Sequence, residues 1–209
     1  FGSGSSAQGT LNDSPTRAVY SQYRLLLLNP GDTTFTFGNS ESSDKIYIVN
    51  FNRARIKDKL DPGNWQLSIA QLSGSFYANN VHTGSNVKVA LPGASVISLI
   101  DDSNQTQETN LTQAGRVYNI VSGSITEGVY NSSSPVYYGL AYPDMGILVL
   151  NANALDTSMS FNTVTGSNIA GDNAWKLYTS ISGAMSFNPT TKAFQAHWDA
   201  GMTTFLGEI

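Results

Sequence analysis

The residues best suited to bind a charged partner are four basic side chains within NFNRARIKDKLDPGNW, residues 50–65. They occupy every second position: Arg53, Arg55, Lys57 and Lys59. Alternate side chains of a β-strand share one face, so this spacing predicts a strand with a basic face. Asp61-Pro62-Gly63-Asn64 then predicts a turn, and Trp65 opens the strand that follows.

Three kinds of site fit this basic face: a subunit interface, a solvated edge strand, and a nucleic-acid groove. Lysine and arginine protect edge strands against unwanted pairing, and across an interface they give specificity. Nucleic-acid binding needs interleaved aromatic residues and a favourable overall charge, whereas the chain carries a formal net charge of −4. We therefore expect an interface or a solvated edge and no nucleic acid. Trp65 is either an aromatic anchor for a partner or a core residue.

No motif in the sequence predicts catalysis. The chain has no cysteine, which excludes thiol nucleophiles, cysteine metal sites and disulfides. Its two histidines, His82 and His197, stand in the segments NNVHTGSN and FQAHWDAG without a recognisable catalytic partner. Asp101-Asp102 offers oxygen ligands but lacks the spacing and central glycine of an EF-hand. We predict no catalytic residue, no metal site and no cofactor.

The composition favours a β-rich protein that associates readily. Charged residues make up 12% of the chain and apolar residues 40%, and this charged share is about half the usual globular value. Apolar runs such as Leu25–Leu28 and Ile147–Leu150 are too short to span a bilayer, so no membrane segment is predicted. A surface with few charges is poorly protected against association.

Period-2 patterns between glycine, asparagine and proline clusters predict an all-β, mainly antiparallel fold. It is either sandwich-like or a sheet with long loops, and it carries one or two short helices, at residues 12–23 and 151–159. The second helix is expected to be capped at Asn151 or Asn153. Pro143-Asp144-Met145-Gly146 predicts the clearest hairpin turn. The predicted strands are Tyr23–Leu28, Thr33–Phe37, Lys45–Asn52, Trp65–Ser73, Val87–Leu91, Val96–Asp101, Arg116–Thr126, Val136–Tyr142, Gly146–Asn151, Trp175–Asn188 and Lys192–Trp198.

The chain divides into residues 1–15, a flexible N-terminal lead-in, and residues 16–209, a single β-rich domain. Residues 102–115 are polar and predict a surface loop. The change in composition there is too weak to predict a domain boundary. The chain begins at Phe1 and stops at TTFLGEI, and we expect it to be a fragment of a longer protein.

Three blocks in order carry a family resemblance: FNRARIKDKLDPGNWQLSIAQLSG, GRVYNIVSGSITEGVY and YYGLAYPDMGILVLNANAL. They resemble a family of virion structural proteins of T4-like contractile-tailed phages, especially marine cyanophages. The resemblance covers roughly residues 47–205 and implies a particle component of the tail, baseplate or neck. It implies other virion proteins as partners, an oligomeric assembly formed in the host cytoplasm, and no catalytic residues.

Two further functions compete with this expectation. A carbohydrate-binding or host-receptor-binding module would present aromatic side chains as a platform, for which the candidates are Tyr137, Tyr138, Trp175 and Trp198. A polysaccharide-degrading enzyme would need two carboxylates about 5–10 Å apart in a cleft. Burial of the aromatic residues separates the first alternative from a structural role.

Overall fold

The computed structural model describes residues 15–38, 41–43, 45–51, 56, 58–70, 96–105, 110–158 and 203–208. Within them the fold is mainly antiparallel β with two short helices, which confirms the predicted class. The elements are α1 (Pro15–Leu27), β1 (Phe35–Phe37), β2 (Glu41–Ser43), β3 (Lys45–Asn50), β4 (Leu67–Ala70), β5 (Val96–Asp101), β6 (Asn110–Thr112), β7 (Gly115–Ser124), β8 (Gly128–Val129), β9 (Tyr137–Tyr142), β10 (Ile147–Asn151), α2 (Ala152–Ser158) and β11 (Thr203–Glu208).

One large curled sheet organises the described residues. Its strand order is β11-β3-β10-β9-β7-β5-β4, and β6 and β8 pair with β7 outside that path. β1 and β2 form a separate two-stranded ribbon. Strands β5 and β7, which flank the polar stretch at residues 102–115, pair directly with each other.

The central strands are apolar on both faces because both faces are covered. On β3, Ile46 and Ile48 belong to a core shared with α1, and Tyr47 and Val49 belong to a core shared with α2. We call these the α1-side core and the α2-side core. The described sheet is thus the middle layer between two cores, which matches the predicted single sheet rather than a sandwich.

Helix α1 confirms the predicted N-terminal helix but extends further. Tyr20, Tyr23 and Leu27 are buried at helical spacing, whereas Leu25 and Leu26 are exposed. The predicted strand Tyr23–Leu28 is therefore wrong. A run of leucines has no readable period, and leucine favours helix, so the amphipathic pattern that precedes it continues through Leu27.

The remaining strand predictions divide into three groups. Those overlapping β1, β3, β4, β5, β7, β9 and β10 are confirmed, β5 with its predicted bounds. The short strands β2, β6, β8 and β11 were not predicted. The predicted strands at residues 87–91, 175–188 and 192–198 lie outside the described residues. Pro15, the last residue of the predicted lead-in, is the first residue of α1.

Two local predictions are confirmed. Residues 143–146 form the β9–β10 turn, in which the Gly146 N–H donates to the Tyr142 carbonyl at 2.9 Å and Gly146 has a φ of +68°. Asn151 caps α2, since its Oδ1 accepts from the backbone N–H groups of Asn153 at 3.1 Å and Ala154 at 3.4 Å.

Candidate functional site

The three blocks that carry the family resemblance meet at the Pro143–Gly146 turn. From the first block, the Leu60 N–H donates to the Pro143 carbonyl at 3.0 Å, and the Phe51 N–H donates to the Gly146 carbonyl at 2.9 Å. From the second, Arg116 binds Asp144 in the third. We call this meeting point, formed by residues 59–60, Arg116 and residues 143–146, the turn corner.

Arg116 binds the Asp144 carboxylate through three donors. Its Nη2 lies 2.8 Å from Oδ1, its Nε lies 3.3 Å from Oδ2, and its backbone N–H reaches Oδ2 at 3.0 Å. These hydrogen bonds hold the pKa of Asp144 below its ordinary value, and the Lys59 charge adds to the effect. The same pair raises the pKa of Arg116. The carboxylate at the turn corner is therefore ionised and already engaged.

An exposed leucine lies beside the turn corner. Leu111 on β6 is 72% exposed and stands directly opposite Arg116 on β7. Opposite residues of an antiparallel pair share a face, with Cβ atoms about 4.5–5.5 Å apart. An apolar side chain thus adjoins the ion pair on the same surface.

The predicted basic strand is wrong where the structure describes it. Ile56 is helical, Asp58 lies in a turn, and Lys59 lies outside the strands, so none of these three described residues belongs to a strand. Lys59 is exposed at the turn corner. Ile56 is half-buried against the α2-side core. Arg53, Arg55 and Lys57 lie outside the described residues.

The predicted turn at residues 61–64 is confirmed and is held by Asp101. The Asn64 N–H donates to the Asp61 carbonyl at 3.1 Å. The Asp101 carboxylate is 2% exposed and accepts from the Gly63 N–H at 3.0 and 3.1 Å. It also accepts from the Ser103 N–H at 3.1 Å and from the Ser103 hydroxyl. Asp101 braces this turn rather than presenting a free ligand.

Asp102, the neighbouring carboxylate, is also used internally. It accepts from the Asn119 N–H at 3.0 Å and from Asn119 Nδ2 at 2.8 Å. Burial raises its pKa, the Asp101 charge adds to that rise, and the Asn119 hydrogen bonds oppose it. Among the described residues no group of three or more metal-ligating side chains comes together.

The aromatic candidates are core residues where the structure describes them. Trp65 is 7% exposed and lies in the α2-side core, the position expected of the core residue that was one of its two predicted roles. Tyr138 is buried in the same core and shares a 3.1 Å hydrogen bond with the Ser158 hydroxyl. Tyr137 packs against the α1-side core.

Tyr137 and Tyr138 therefore point to opposite faces of β9 and form no coplanar platform, which corrects that prediction. The other two platform candidates, Trp175 and Trp198, lie outside the described residues, as do the two histidines.

A cavity that was not predicted from the sequence lies between the α1–β1 loop and the sheet. It is open to solvent and has a volume of about 420 Å³. Strand β7 contributes Val117 and Asn119, strand β9 contributes Leu140 and Tyr142, and the loop contributes Asp32 among others. The repeated threonines of GDTTFTFG were the only signal in the sequence, and they gave no hint of the strands that complete the cavity.

Comparison with protein-family models, with curated proteins and with solved structures found no match to the chain. In the described part of the chain, neither helix has the length and apolar character needed to cross a membrane.

Proposed function

We propose that the chain is a noncatalytic structural component of a tailed-phage virion, placed in the tail, baseplate or neck, and that it binds other virion proteins at the turn corner. The observation that carries this proposal is the position of Leu111, 72% exposed and directly opposite Arg116 of the Arg116–Asp144 pair.

This arrangement has the composition of a small contact surface. Interfaces combine desolvated apolar side chains with a rim of polar and charged groups, and arginine is enriched in them. Leu111 supplies the apolar group, while Arg116, Asp144 and the exposed Lys59 supply the charged rim. Partner binding would remove the Leu111 side chain from water and leave the internally paired charges at the edge.

The noncatalytic part of the proposal rests on how the described carboxylates are used. Asp144 is bound by Arg116, Asp101 braces the 61–64 turn, and Asp102 holds Asn119. A carboxylate that acts as general acid, base or nucleophile needs access to substrate. Among the described residues that line the cavity, Asp32 is the one carboxylate, so they do not supply the carboxylate pair of a glycosidase.

The experiment compares two equally simple surface substitutions in the phage that encodes the chain. Leu111→Ser removes the apolar group beside the turn corner. Ile125→Ser removes another exposed apolar group, 53% exposed, at the opposite end of β7, about 30 Å from Arg116 along the strand. The chain is then quantified in gradient-purified particles.

We expect Leu111→Ser to reduce incorporation about tenfold or more, which corresponds to the loss of one well-buried leucine contact. Ile125→Ser should incorporate like the wild type. Equal incorporation of both variants, each folded by circular dichroism, would refute the turn corner as the contact site. A wild-type chain absent from purified particles would refute the virion role itself.

A further inference from the structure

Helix α1 has an outward face that carries no charge. From residue 18 to the end of the helix, the exposed residues are Ala18, Ser21, Gln22, Leu25 and Leu26. The outward face of a surface helix normally carries charged and polar side chains. This face instead presents two leucines to solvent, Leu25 at 68% exposure and Leu26 at 41%.

The exposed residues follow the spacing of a helix–helix contact. Ala18, Gln22 and Leu25 succeed one another at intervals of four and then three residues, which is the spacing by which one helix packs along another. Ser21 and Leu26 flank this line on its two sides. We call these five residues the α1 stripe.

Contacts to the rest of the protein hold the α1 stripe in place. Gln113 Nε2 donates to the Leu25 carbonyl at 2.7 Å, and the Gln113 N–H donates to Asn29 Oδ1 at 3.3 Å. Arg24 is the one charged residue between residues 18 and 27, and its Nη1 donates to the Asp32 carbonyl in the α1–β1 loop at 3.3 Å. A preorganised face loses little conformational freedom on binding, and the Leu25 carbonyl keeps its hydrogen bond when water is excluded.

The side-chain sizes along the α1 stripe fit a second α1 that runs in the opposite direction. A small residue, Ala18, lies at the N-terminal end of the stripe, and a large one, Leu25, lies near its C-terminal end. A two-fold axis between residues 21 and 22 places each Ala18 against Leu25 of the second copy. It also places each Ser21 against Gln22 of the second copy, so the hydroxyl and the amide can hydrogen-bond to each other.

The missing charge favours the same occupant. Identical surfaces bring like charges together when they pair, so a charged face repels its own copy. The exposed residues of the α1 stripe are uncharged, although the chain as a whole has a formal net charge of −4. Two copies can therefore meet at this face without desolvating or opposing charges, and the dipoles of antiparallel helices attract weakly.

We propose that α1 is a self-association site, at which two copies of the chain pair antiparallel through their α1 stripes with Ala18 against Leu25. The contact covers about two helical turns, which is smaller than the roughly 1,200–2,000 Å² of a stable interface, so the isolated dimer is expected to be weak. A high local concentration in an assembly would strengthen it. The inference is independent of the virion role and of the turn corner, because its test uses the isolated chain in solution.

Introduced cysteines test the pairing directly, since the chain has none of its own. Ala18→Cys and Leu25→Cys chains are oxidised separately and as an equal mixture. In the proposed pair residue 18 faces residue 25 of the second copy, whereas the two copies of residue 18 lie about 10 Å apart along the helix axis, too far for a disulfide. We expect the mixture to give several-fold more disulfide-linked dimer than either chain alone. Ser133→Cys, in an exposed turn between β8 and β9, measures random collision.

Sedimentation of the cysteine-free chain measures the affinity. We expect the wild type to dimerise at concentrations up to about 500 µM, and Leu25→Asp to raise the Kd about 100-fold or more, because one leucine from each copy leaves the contact. Ile125→Asp replaces an exposed apolar residue outside α1, 53% exposed, and should dimerise like the wild type. Circular dichroism checks that both variants are folded.

Three results would overturn the proposal: a wild-type chain that stays monomeric up to about 500 µM, a Leu25→Asp chain that dimerises like the wild type, or a mixture that cross-links no better than Ser133→Cys. Ala18→Cys and Leu25→Cys chains that each link mainly to themselves would indicate a parallel pair and would also contradict it. A monomeric chain whose Ala18→Cys variant links to another protein in particles would assign the α1 stripe to that protein instead of a second copy.

Discussion

Arg116 and Asp144 are 28 residues apart in sequence and are joined by two side-chain hydrogen bonds, at 2.8 and 3.3 Å. The pair links the beginning of strand β7 to the β9–β10 turn. Since β7 and β9 are neighbours in the sheet, the pair fixes the end of that strand pair and orients the Arg116 side chain, while the β6–β7 ladder sets Arg116 opposite Leu111. The candidate contact surface thus depends on a structural ion pair.

Asp144→Asn removes the charge of this pair with little change in shape. We expect it to lower the free energy of unfolding by about 1 kcal/mol, since the partners are partly exposed and the solvent screens them, while the bidentate geometry and the Arg116 N–H favour a measurable effect. Urea unfolding followed by circular dichroism measures the change. Glu127→Gln, a carboxylate-to-amide change at an exposed turn, should stay within about 0.5 kcal/mol of the wild type.

Asp144 also predicts a pH dependence. Its folded-state pKa is lowered, so its stabilising contribution is present above the unfolded pKa of about 4 and is lost as pH falls through the folded pKa. The stability difference between wild type and Asp144→Asn should therefore be largest near neutral pH and shrink in acid. A difference that stays constant from pH 7 to pH 2 would contradict the ionised pair.

The contribution of Asp102 to stability should change with pH in the opposite direction. Its folded-state pKa is raised, chiefly by burial. The stability that it contributes is fully present below the unfolded pKa of about 4 and is lost as pH rises through the folded pKa. NMR titration of the side-chain carboxyl carbons should give a midpoint for Asp102 above that for Asp144. The reverse order would show that the two environments are wrongly assigned.

Asp101→Ala should destabilise the 61–64 turn strongly. The change leaves the backbone N–H groups of Gly63 and Ser103 without their acceptor, and each lost partner in a buried site costs about 1–3 kcal/mol. We expect a total loss of about 3 kcal/mol in urea unfolding. Ser103→Ala removes only the hydroxyl donor and should cost about 1 kcal/mol. Equal effects of the two changes would contradict the bracing role.

The stability of Trp65 variants tests whether Trp65 is a core residue or an interface anchor. Because Trp65 is 7% exposed, Trp65→Ala should lower the stability of the isolated chain by about 3–5 kcal/mol through the cavity it leaves. Trp65→Phe should cost clearly less, since Nε1 has no described partner to lose. A Trp65→Ala chain that unfolds like the wild type yet fails to enter particles would restore the anchor hypothesis.

Local chemistry explains what the sequence could predict. The Pro143–Gly146 turn and the Asn151 cap depend on residues within a few positions of each other. Residue types were therefore sufficient to predict the turn and to narrow the cap to Asn151 or Asn153. The Leu25–Leu28 run was misassigned because four leucines carry no period. Without a period, the pattern does not distinguish Leu27, which is buried, from Leu25, which is exposed.

The sites depended on information that the sequence does not carry. The Arg116–Asp144 pair requires the strand order and register that bring β7 beside the β9–β10 turn, and the cavity requires a helix-following loop to lie over β7 and β9. Leu111 lies in a polar stretch and was not singled out. The signal for it was an isolated leucine between the polar residues Asn110 and Thr112. The alternation of basic residues from Arg53 to Lys59 suggested a strand, whereas Ile56 is helical and packs half-buried against the core. That packing is a tertiary contact, which local sequence does not reveal.

The most direct test of the central claim is amine-reactive cross-linking of purified particles, read by mass spectrometry at Lys59. Lys59 is exposed at the turn corner next to Asp144, so a partner bound there lies within reach of its amine. We predict cross-links from Lys59 to another virion protein, and their loss from the particles when Leu111 is replaced by serine. A chain present in particles whose Lys59 reacts with reagent but cross-links to no other protein would contradict the account.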